Sequence, residues 1–374
     1  MSSSIGVVMK VAFVHDWLVT YRGGEKVLEA MLELFPDAPI FTLFYDKSQM
    51  PESISSRQVY FPKWLNKFKK VRKLFLPFYP SIIESMPLEN YDLIISTSSC
   101  VAKGAIPGPN AKHLCYIHSP MRYIWDQRSH YIKPFEKVPF LSAIFHSLSS
   151  KLRMWDTLSS HRVDKFIANS SFVKDRVYKY YGRDSEVIPP PVDVESFGQE
   201  DRLDSSSEPY YLAAGAFVSY KRFDLAIQAC EAAGIKLVVA GSGPDEQSLR
   251  KLAGPNTHFV IKPDSSEWRK LMANAKALLF PGIEDFGIVA IEALSAGTPL
   301  IAFKGGGALD FLVPNKTGAF FTELDANSLK DALESFDSKQ FEGKEMKLFA
   351  EQFTKKKFQD RIKNQIEHLT EKPA

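Results

Sequence analysis

Residues 277–303 read ALLFPGIEDFGIVAIEALSAGTPLIAF. The run opens on an apolar tetrad, Ala277–Phe280, and closes on another apolar stretch, Pro299–Phe303. Between them stand a Pro-Gly turn, an acidic loop and a helical segment, Gly287–Ala296. Strand, helix and strand in that order make a βαβ unit with parallel strands. Neither strand alternates polar with apolar residues, so both belong in a sheet covered on its two faces.

The same alternation extends outward in both directions. Upstream in this half come strands at Tyr210–Ala214, Lys236–Ala240 and Phe259–Ile261, with helices at Asp224–Ala233, Glu246–Ala253 and Ser266–Ala275. The N-terminal half starts with Lys10–His15 (KVAFVH), a Gly23-Gly24 turn and a helix over Glu25–Phe35. Further strands are expected at Ile40–Phe44, Tyr91–Ser96, His113–Ile117 and Lys165–Ala168. Between the halves, Val187–Phe197 reads VIPPPVDVESF, and a polar stretch, Gln199–Glu208, follows. Three consecutive prolines continue neither a helix nor a central strand. The chain therefore divides into domains at 1–190 and 191–350, with a charged helical tail at 351–374. The expected fold class is α/β: two doubly wound, Rossmann-like domains facing across a cleft. A length of 374 residues suits two cores better than one.

Composition excludes several classes. A net charge of +3 gives no footprint for nucleic acid. No run approaches the ~18 apolar residues a membrane span needs. Met1–Val8 has no basic start or long apolar core and does not read as a secretory signal. Three cysteines (Cys100, Cys115 and Cys230) lie at no metal or redox spacing. They read as small buried hydrophobes in a reducing, cytoplasmic setting.

Four stretches carry candidate chemistry, each just after a strand, where open α/β sheets bind ligands. In the first, Glu284 and Glu292 stand eight positions apart around Asp285, Phe286, Gly287 and Ile288. A glutamate inside an apolar helix face needs a partner, such as a ribose or sugar hydroxyl pair. The helix start suits a diphosphate. Equally open is that Glu284 caps the helix and Glu292 is salt-bridged. The second, Gly215–Arg222 (GAFVSYKR), puts Lys221 and Arg222 past a strand end, where cations meet phosphate. A solvated pair at a helix start would oppose the dipole. The third joins His15 and Asp16 to Gly23 and Gly24, which allow close backbone approach to a ligand. The fourth, Tyr116–Asp126 (YIHSPMRYIWD), contains His118 and Arg122. Ala240-Gly241-Ser242-Gly243-Pro244 lacks the third glycine of a dinucleotide fingerprint, which argues against NAD. Gly305-Gly306-Gly307 offers another loop to lie against donor or acceptor.

Together these motifs resemble the family 4 retaining glycosyltransferases of the GT-B fold, over roughly Lys10 to Ile362. YIHSPMRYIWD, FIANSSFV and VIPPPVD look like the bacterial mannosyltransferases that build surface polysaccharides, such as lipopolysaccharide. The resemblance implies a hexosyltransferase that moves a hexose, mannose first, from a nucleotide-sugar donor to a glycan or lipid-linked acceptor. It implies that Glu284 holds donor-sugar hydroxyls and that the backbone of Phe286–Ile288, beside Asp285, supports that sugar. Glu292 would hold the ribose, and Lys221 would neutralise the departing diphosphate. Gly23 and Gly24 would approach that diphosphate, and His118 would lie beside the reacting sugar. His15, Asp16 and Arg122 fall on the acceptor side. Many members carry an arginine five residues before the lysine; here that position is Ala216, which Arg222 would have to make good. The final helix would cross back onto the first domain. GDP-mannose is the favoured donor, with a UDP sugar left open. No cofactor or metal is expected: no Asp-x-Asp follows a strand, and Asp193-Val194-Glu195 follows the proline run instead. No carboxylate reads as a nucleophile, which favours front-face displacement.

On the acceptor side, Lys63–Tyr79 reads KWLNKFKKVRKLFLPFY. Trp64, Phe68, Val71 and Phe75 recur at helical spacing among six Lys/Arg residues between Lys63 and Lys73. A basic amphipathic helix suits an anionic membrane, here peripherally on the inner face of the plasma membrane. An apolar face turned into the first-domain core fits the same pattern. Two other functions share the fold: a nucleotide-sugar epimerase, which the glutamate pair disfavours, and a non-catalytic nucleotide-sugar-binding module, for which Ala216 speaks.

Overall fold

The computed structural model describes residues 9–126, 139–198 and 209–371. Met1–Val8 and Gln199–Glu208 lie outside these described residues. The chain forms two compact units, residues 1–189 with 359–374, and residues 190–358.

Among the described residues the first unit holds seven strands: β1 (Val11–His15), β2 (Ile40–Thr42), β3 (Val59–Tyr60), β4 (Leu93–Ser98), β5 (Lys112–Ile117), β6 (Lys165–Ala168) and β7 (Glu186–Val187). They pair in parallel in the order β3-β2-β1-β4-β5-β6-β7. The chain winds outward one way from β1 and then returns to lay β4 on the other side. Every residue of β1 and β4 is buried, which explains the apolar or small-residue character of both up to His15 at the end of β1. The short edge strands β3 and β7 carry too few apolar residues to stand out in sequence.

The second unit holds six described strands: β8 (Tyr211–Ala216), β9 (Leu237–Ser242), β10 (Thr257–Ile261), β11 (Leu278–Phe280), β12 (Leu300–Phe303) and β13 (Gly318–Phe321). Their order, β10-β9-β8-β11-β12-β13, is again all parallel, with its reversal between β8 and β11. Each unit is thus a doubly wound Rossmann-like sheet, and ligand-binding loops are expected at each reversal.

Two features depart from the sequence-based expectation. The tail does not separate at residue 351. Val192 N–H donates to the Phe353 carbonyl at 2.9 Å, and the Phe353 ring lies 5.8 Å from that of Phe286. Residues 351–358 therefore belong to the second unit, with Phe353 in its core. The final helix, Lys355–Thr370, buries Phe358, Ile362 and Ile366 at four-residue spacing. Its Gln359 donates to the Ala30 carbonyl at 2.8 Å, on the helix Gly23–Leu32 of the first unit.

Lys63–Tyr79 is not one amphipathic helix. A turn of helix at Lys63–Asn66 gives way to a 3-10 run, Lys69–Phe78, broken at Val71 (φ −112°, ψ 23°), before a helix at Tyr79–Glu84. Pro77 removes a backbone donor from the run, and Leu65, Tyr79 and Ile83 are drawn into the core. Phe75 packs on that core as well, while Trp64, Phe68, Val71, Leu74 and Phe78 stay exposed.

The three cysteines are buried and free. Burial pushes the Cys115 and Cys230 thiols up to about 12, so neither supplies a thiolate at neutral pH.

A long helix, Pro139–Ser159, is tied down by a buried ion pair absent from the expectations above. Lys103 Nζ lies 3.0 Å from Asp156 Oδ1, with the two side chains 1% and 0% exposed. It also donates to the Asp156 carbonyl (2.6 Å) and Ser159 Oγ (2.8 Å). Asp156 Oδ2 accepts from Trp125 Nε1 (2.8 Å) and Tyr181 Oη (3.0 Å). Removing one partner leaves a buried charge alone, which costs roughly 3–5 kcal/mol. Lys103→Met is expected to lower the melting temperature by well over 5 °C in differential scanning calorimetry. An unchanged melt would show that water reaches this pair.

Candidate active site

The second unit brings its two main candidates together. Lys221 ends a short 3-10 turn after β8, and Glu284 sits in the loop after β11, the two strands at the reversal. Lys221 Nζ donates to Glu284 Oε1 at 2.8 Å, with side chains 9% and 14% exposed. Three glycines make room. A Cβ on Gly215 would stand 2.9 Å from Lys221 Nζ, and one on Gly282 would stand 2.3 Å from the Tyr220 carbonyl oxygen. Gly287, at φ +106°, lets the chain turn into the helix Ile288–Ser295; a Cβ there would strike the Phe280 ring at 2.4 Å.

The loop Gly305–Gly307 packs directly on the acidic loop. Gly307 N–H donates to the Glu284 carbonyl at 2.9 Å. A Cβ on Gly307 would lie 2.5 Å from Phe286 Cα, and one on Gly306 would lie 2.6 Å from the Glu284 carbonyl oxygen. The glycine loop therefore fixes the backbone that carries Glu284, Asp285 and Phe286. The Phe286 ring is buried in the core, against Phe311 and Phe353. Asp285 is buried as well.

Glu292 is 8% exposed on the Ile288–Ser295 helix, and Trp268 Nε1 donates to its Oε2 at 3.0 Å. Trp268, on the helix Ser265–Asn274, was not legible as a site residue because its place beside Glu292 arises between helices. Arg222 is already paired: its guanidinium forks onto Asp224 at 3.0–3.2 Å, with side chains 30% and 34% exposed. Its backbone is left-handed, at φ 53°.

In the first unit, Gly24 and His118 meet. A Cβ on Gly24 would lie 3.6 Å from His118 Nε2, so the Gly23-Gly24 turn and the end of β5 share one edge. His15 Nδ1 lies 2.5 Å from Thr97 Oγ1, and its Nε2 lies 3.8 Å from Glu25 Oε1. Burial acts to raise the Glu25 carboxyl. His15 and the backbone N–H groups of Arg22 and Glu25 outweigh it and hold that carboxyl below its usual range. Glu25 thus stands as a buried carboxylate at the Gly23–Leu32 helix start, where the dipole favours it. The sequence signal was its place directly after Gly23-Gly24.

Asp16 is not available as an acceptor-side group. Its Oδ2 accepts from the Ser99 and Cys100 N–H groups (2.6 and 2.9 Å), and its Oδ1 from those of Val101 and Ala102 (both 2.8 Å). It clamps the loop after β4 to the end of β1. Arg122 Nε lies 3.4 Å from Ser119 Oγ, which also accepts from Arg176 Nη1 at 3.0 Å. Among the described residues, no group of three or more His, Cys, Asp or Glu is placed to hold a metal.

Two family models match: "Glycosyltransferase Family 4" over residues 22–196 and "Glycosyl transferases group 1" over residues 199–356. The chain is 24% identical to the alpha-1,3/1,6-mannosyltransferase ALG2 of Kluyveromyces lactis, over 81% of this chain and 71% of that protein. It is 28% identical to the GDP-mannose-dependent alpha-(1-6)-phosphatidylinositol monomannoside mannosyltransferase of Mycobacterium tuberculosis, over 44% of this chain and 50% of that one. Anabaena HepE, solved in complex with UDP, superimposes with a TM-score of 0.69 at 16% identity, covering 96% of this chain and all of that one. That likeness establishes the two-domain GT-B fold.

A methyl at residue 307 would be driven into the Phe286 backbone, and overpacking of this kind costs about 1–3 kcal/mol. Gly307→Ala is expected to lower the melting temperature by several degrees and to weaken nucleotide-sugar binding in calorimetric titration. Wild-type stability and affinity would show that the glycine loop does not set the geometry of Glu284.

Proposed function

The chain belongs to the family 4 glycosyltransferases, and from that premise we propose that it transfers mannose from GDP-mannose to a glycan or lipid-linked acceptor with retention of configuration. The observation that carries the reading is the Lys221–Glu284 pair at the sheet reversal. Its donor specificity rests on the similarity to relatives named as mannosyltransferases, one of them GDP-mannose-dependent. Those relatives give no support to an epimerase.

The pair suits a donor with an anionic and a hydroxylated end. Before donor binds, the Lys221 ammonium and Glu284 carboxylate neutralise each other out of water, where an isolated charge is costly. A diphosphate offers Lys221 a stronger anion. Glu284 is then left to accept from sugar hydroxyls. As the anomeric C–O bond breaks, negative charge grows on the departing diphosphate. Lys221 and the N–H groups at the start of the Ile288–Ser295 helix would meet such charge. The negative charge is met by these groups without a metal, and the displacement proceeds on the front face of the sugar. Glu292, with Trp268 fixing one oxygen, would take the ribose hydroxyls. The Gly23–Gly24 turn would approach the diphosphate, and His118 the reacting sugar.

The first unit supplies a surface for a lipid-linked acceptor. Residues 53–83 contain no Asp or Glu but carry Arg57, Lys63, Lys67, Lys69, Lys70, Arg72 and Lys73. Trp64, Phe68, Val71, Leu74 and Phe78 stand exposed among these cations. Apolar side chains interleaved with cations suit an anionic lipid surface, to which each Lys or Arg contributes about 1 kcal/mol. No helix among the described residues is long and apolar enough to cross a membrane, so the contact would be peripheral.

Lys221→Ala is expected to lower kcat by about 10²–10³-fold with GDP-mannose in the presence of EDTA, and to change KM less. Loss of wild-type activity in EDTA, or a variant above a tenth of wild-type rate, would overturn this mechanism. Lys69 is engaged by Asp46 at 2.6 Å, so the membrane test uses its exposed neighbours. Lys63→Glu, Lys67→Glu and Lys70→Glu together are expected to abolish co-sedimentation with phosphatidylglycerol vesicles while leaving transfer to a water-soluble acceptor intact. Undiminished sedimentation would remove the membrane reading.

A further inference from the structure

Asn169 follows β6 directly, and its side chain is 6% exposed. One end of its amide is occupied: Nδ2 donates to the backbone carbonyl of His118 at 3.1 Å. The other end, Oδ1, is buried without a hydrogen-bond partner among the described residues. A buried amide oxygen left unpaired costs about 1–3 kcal/mol. The next side chain, Ser170, caps the helix Ser171–Tyr181 by accepting from the Val173 N–H at 3.1 Å. Ser119 Oγ donates to the Pro120 carbonyl and accepts from Arg176.

The location narrows the ligand. β5 and β6 pair in parallel, with Ile117 opposite Ala168, so His118 and Asn169 leave adjacent strands at their carboxyl ends. That edge of an open α/β sheet is where ligands bind. An amide oxygen accepts and never donates, which excludes a phosphate or carboxylate and selects an O–H or N–H group. For a glycosyltransferase the abundant donor is a sugar hydroxyl.

Resting on the mannosyl-transfer reading above, we propose that Asn169 Oδ1 accepts a hydrogen bond from a hydroxyl of the acceptor sugar, while Nδ2 holds His118 in place. One side chain then both reads the acceptor and sets the position of the histidine beside it. Asn169 is a specificity residue for the acceptor through Oδ1 and a positioning residue for His118 through Nδ2.

The test compares two rates in the full-length protein: transfer from GDP-mannose to a panel of octyl glycosides including octyl α-mannoside, and acceptor-free hydrolysis of GDP-mannose. Asn169→Ala loses both bonds: it is expected to raise the acceptor KM by about ten-fold or more and, by releasing His118, to lower the rates of transfer and hydrolysis together. Asn169→Asp keeps an acceptor at Oδ1 but loses the bond to His118. It is expected to hold the acceptor KM within about three-fold and to lose rate mainly in kcat. An acceptor KM within about three-fold of wild type in Asn169→Ala, or one raised as far in Asn169→Asp as in Asn169→Ala, overturns the proposal. A wild-type protein that transfers to no glycoside in the panel would instead defeat the underlying mannosyl-transfer reading, and this assignment with it.

Discussion

An ammonium and a carboxylate 2.8 Å apart, both shielded from solvent, set the terms for the second unit. Lys221 and Glu284 are 63 residues apart in the chain. They meet because β8 and β11 are hydrogen-bonded neighbours at the point where the strand order turns back. Nothing local holds either side chain there. The approach also requires glycine at 215 and 282, where any Cβ would fill the space used by Lys221 and its backbone. A buried ion pair is weak evidence for stability, since removing two charges from water offsets much of their attraction. Under the proposed mannosyl transfer, its value would lie in being exchangeable, each partner being satisfied by one end of a diphospho-sugar.

The first unit solves the same topological problem with different chemistry. At its own reversal, between β1 and β4, the carboxylate of Asp16 gathers four successive backbone N–H groups, from Ser99 to Ala102. That clamp is fully engaged and leaves no charge to exchange with a ligand. The chemistry on this edge passes to its neighbours: Gly24 against His118, and Glu25 near His15 and Thr97. Asn169 completes the row one strand further along, with one end of its amide already committed.

Rigidity comes from packing at a distance from these groups. Gly306 and Gly307 press backbone on backbone against the acidic loop, so Glu284 hangs from a segment with little freedom to move. Phe286 is anchored among Phe311 and Phe353, and Phe353 is joined in turn to Val192. In the first unit, Lys103 and Asp156 lock the Pro139–Ser159 helix to the turn at Ala102–Gly104. By contrast, the cationic stretch around Lys63–Phe78 leaves large apolar side chains in solvent.

The sequence by itself determined the class of fold and the identity of the strongest candidates. Apolar runs without alternation demanded parallel strands covered on both faces, and three prolines after Val187 demanded a break. Glu284, Glu292 and Lys221 were legible because charged residues next to buried strands and small residues need a reason to be there. What only the tertiary structure decided was the partner of each group, because partners come from strands far apart in the chain. Arg222 turned to Asp224, Asp16 became a clamp, Trp268 reached Glu292, and residues 351–358 joined the second unit. The helix expected over Lys63–Tyr79 broke because Pro77 and the pull of Leu65 and Tyr79 into the core outweigh helical periodicity, a competition that a pattern of residues does not contain.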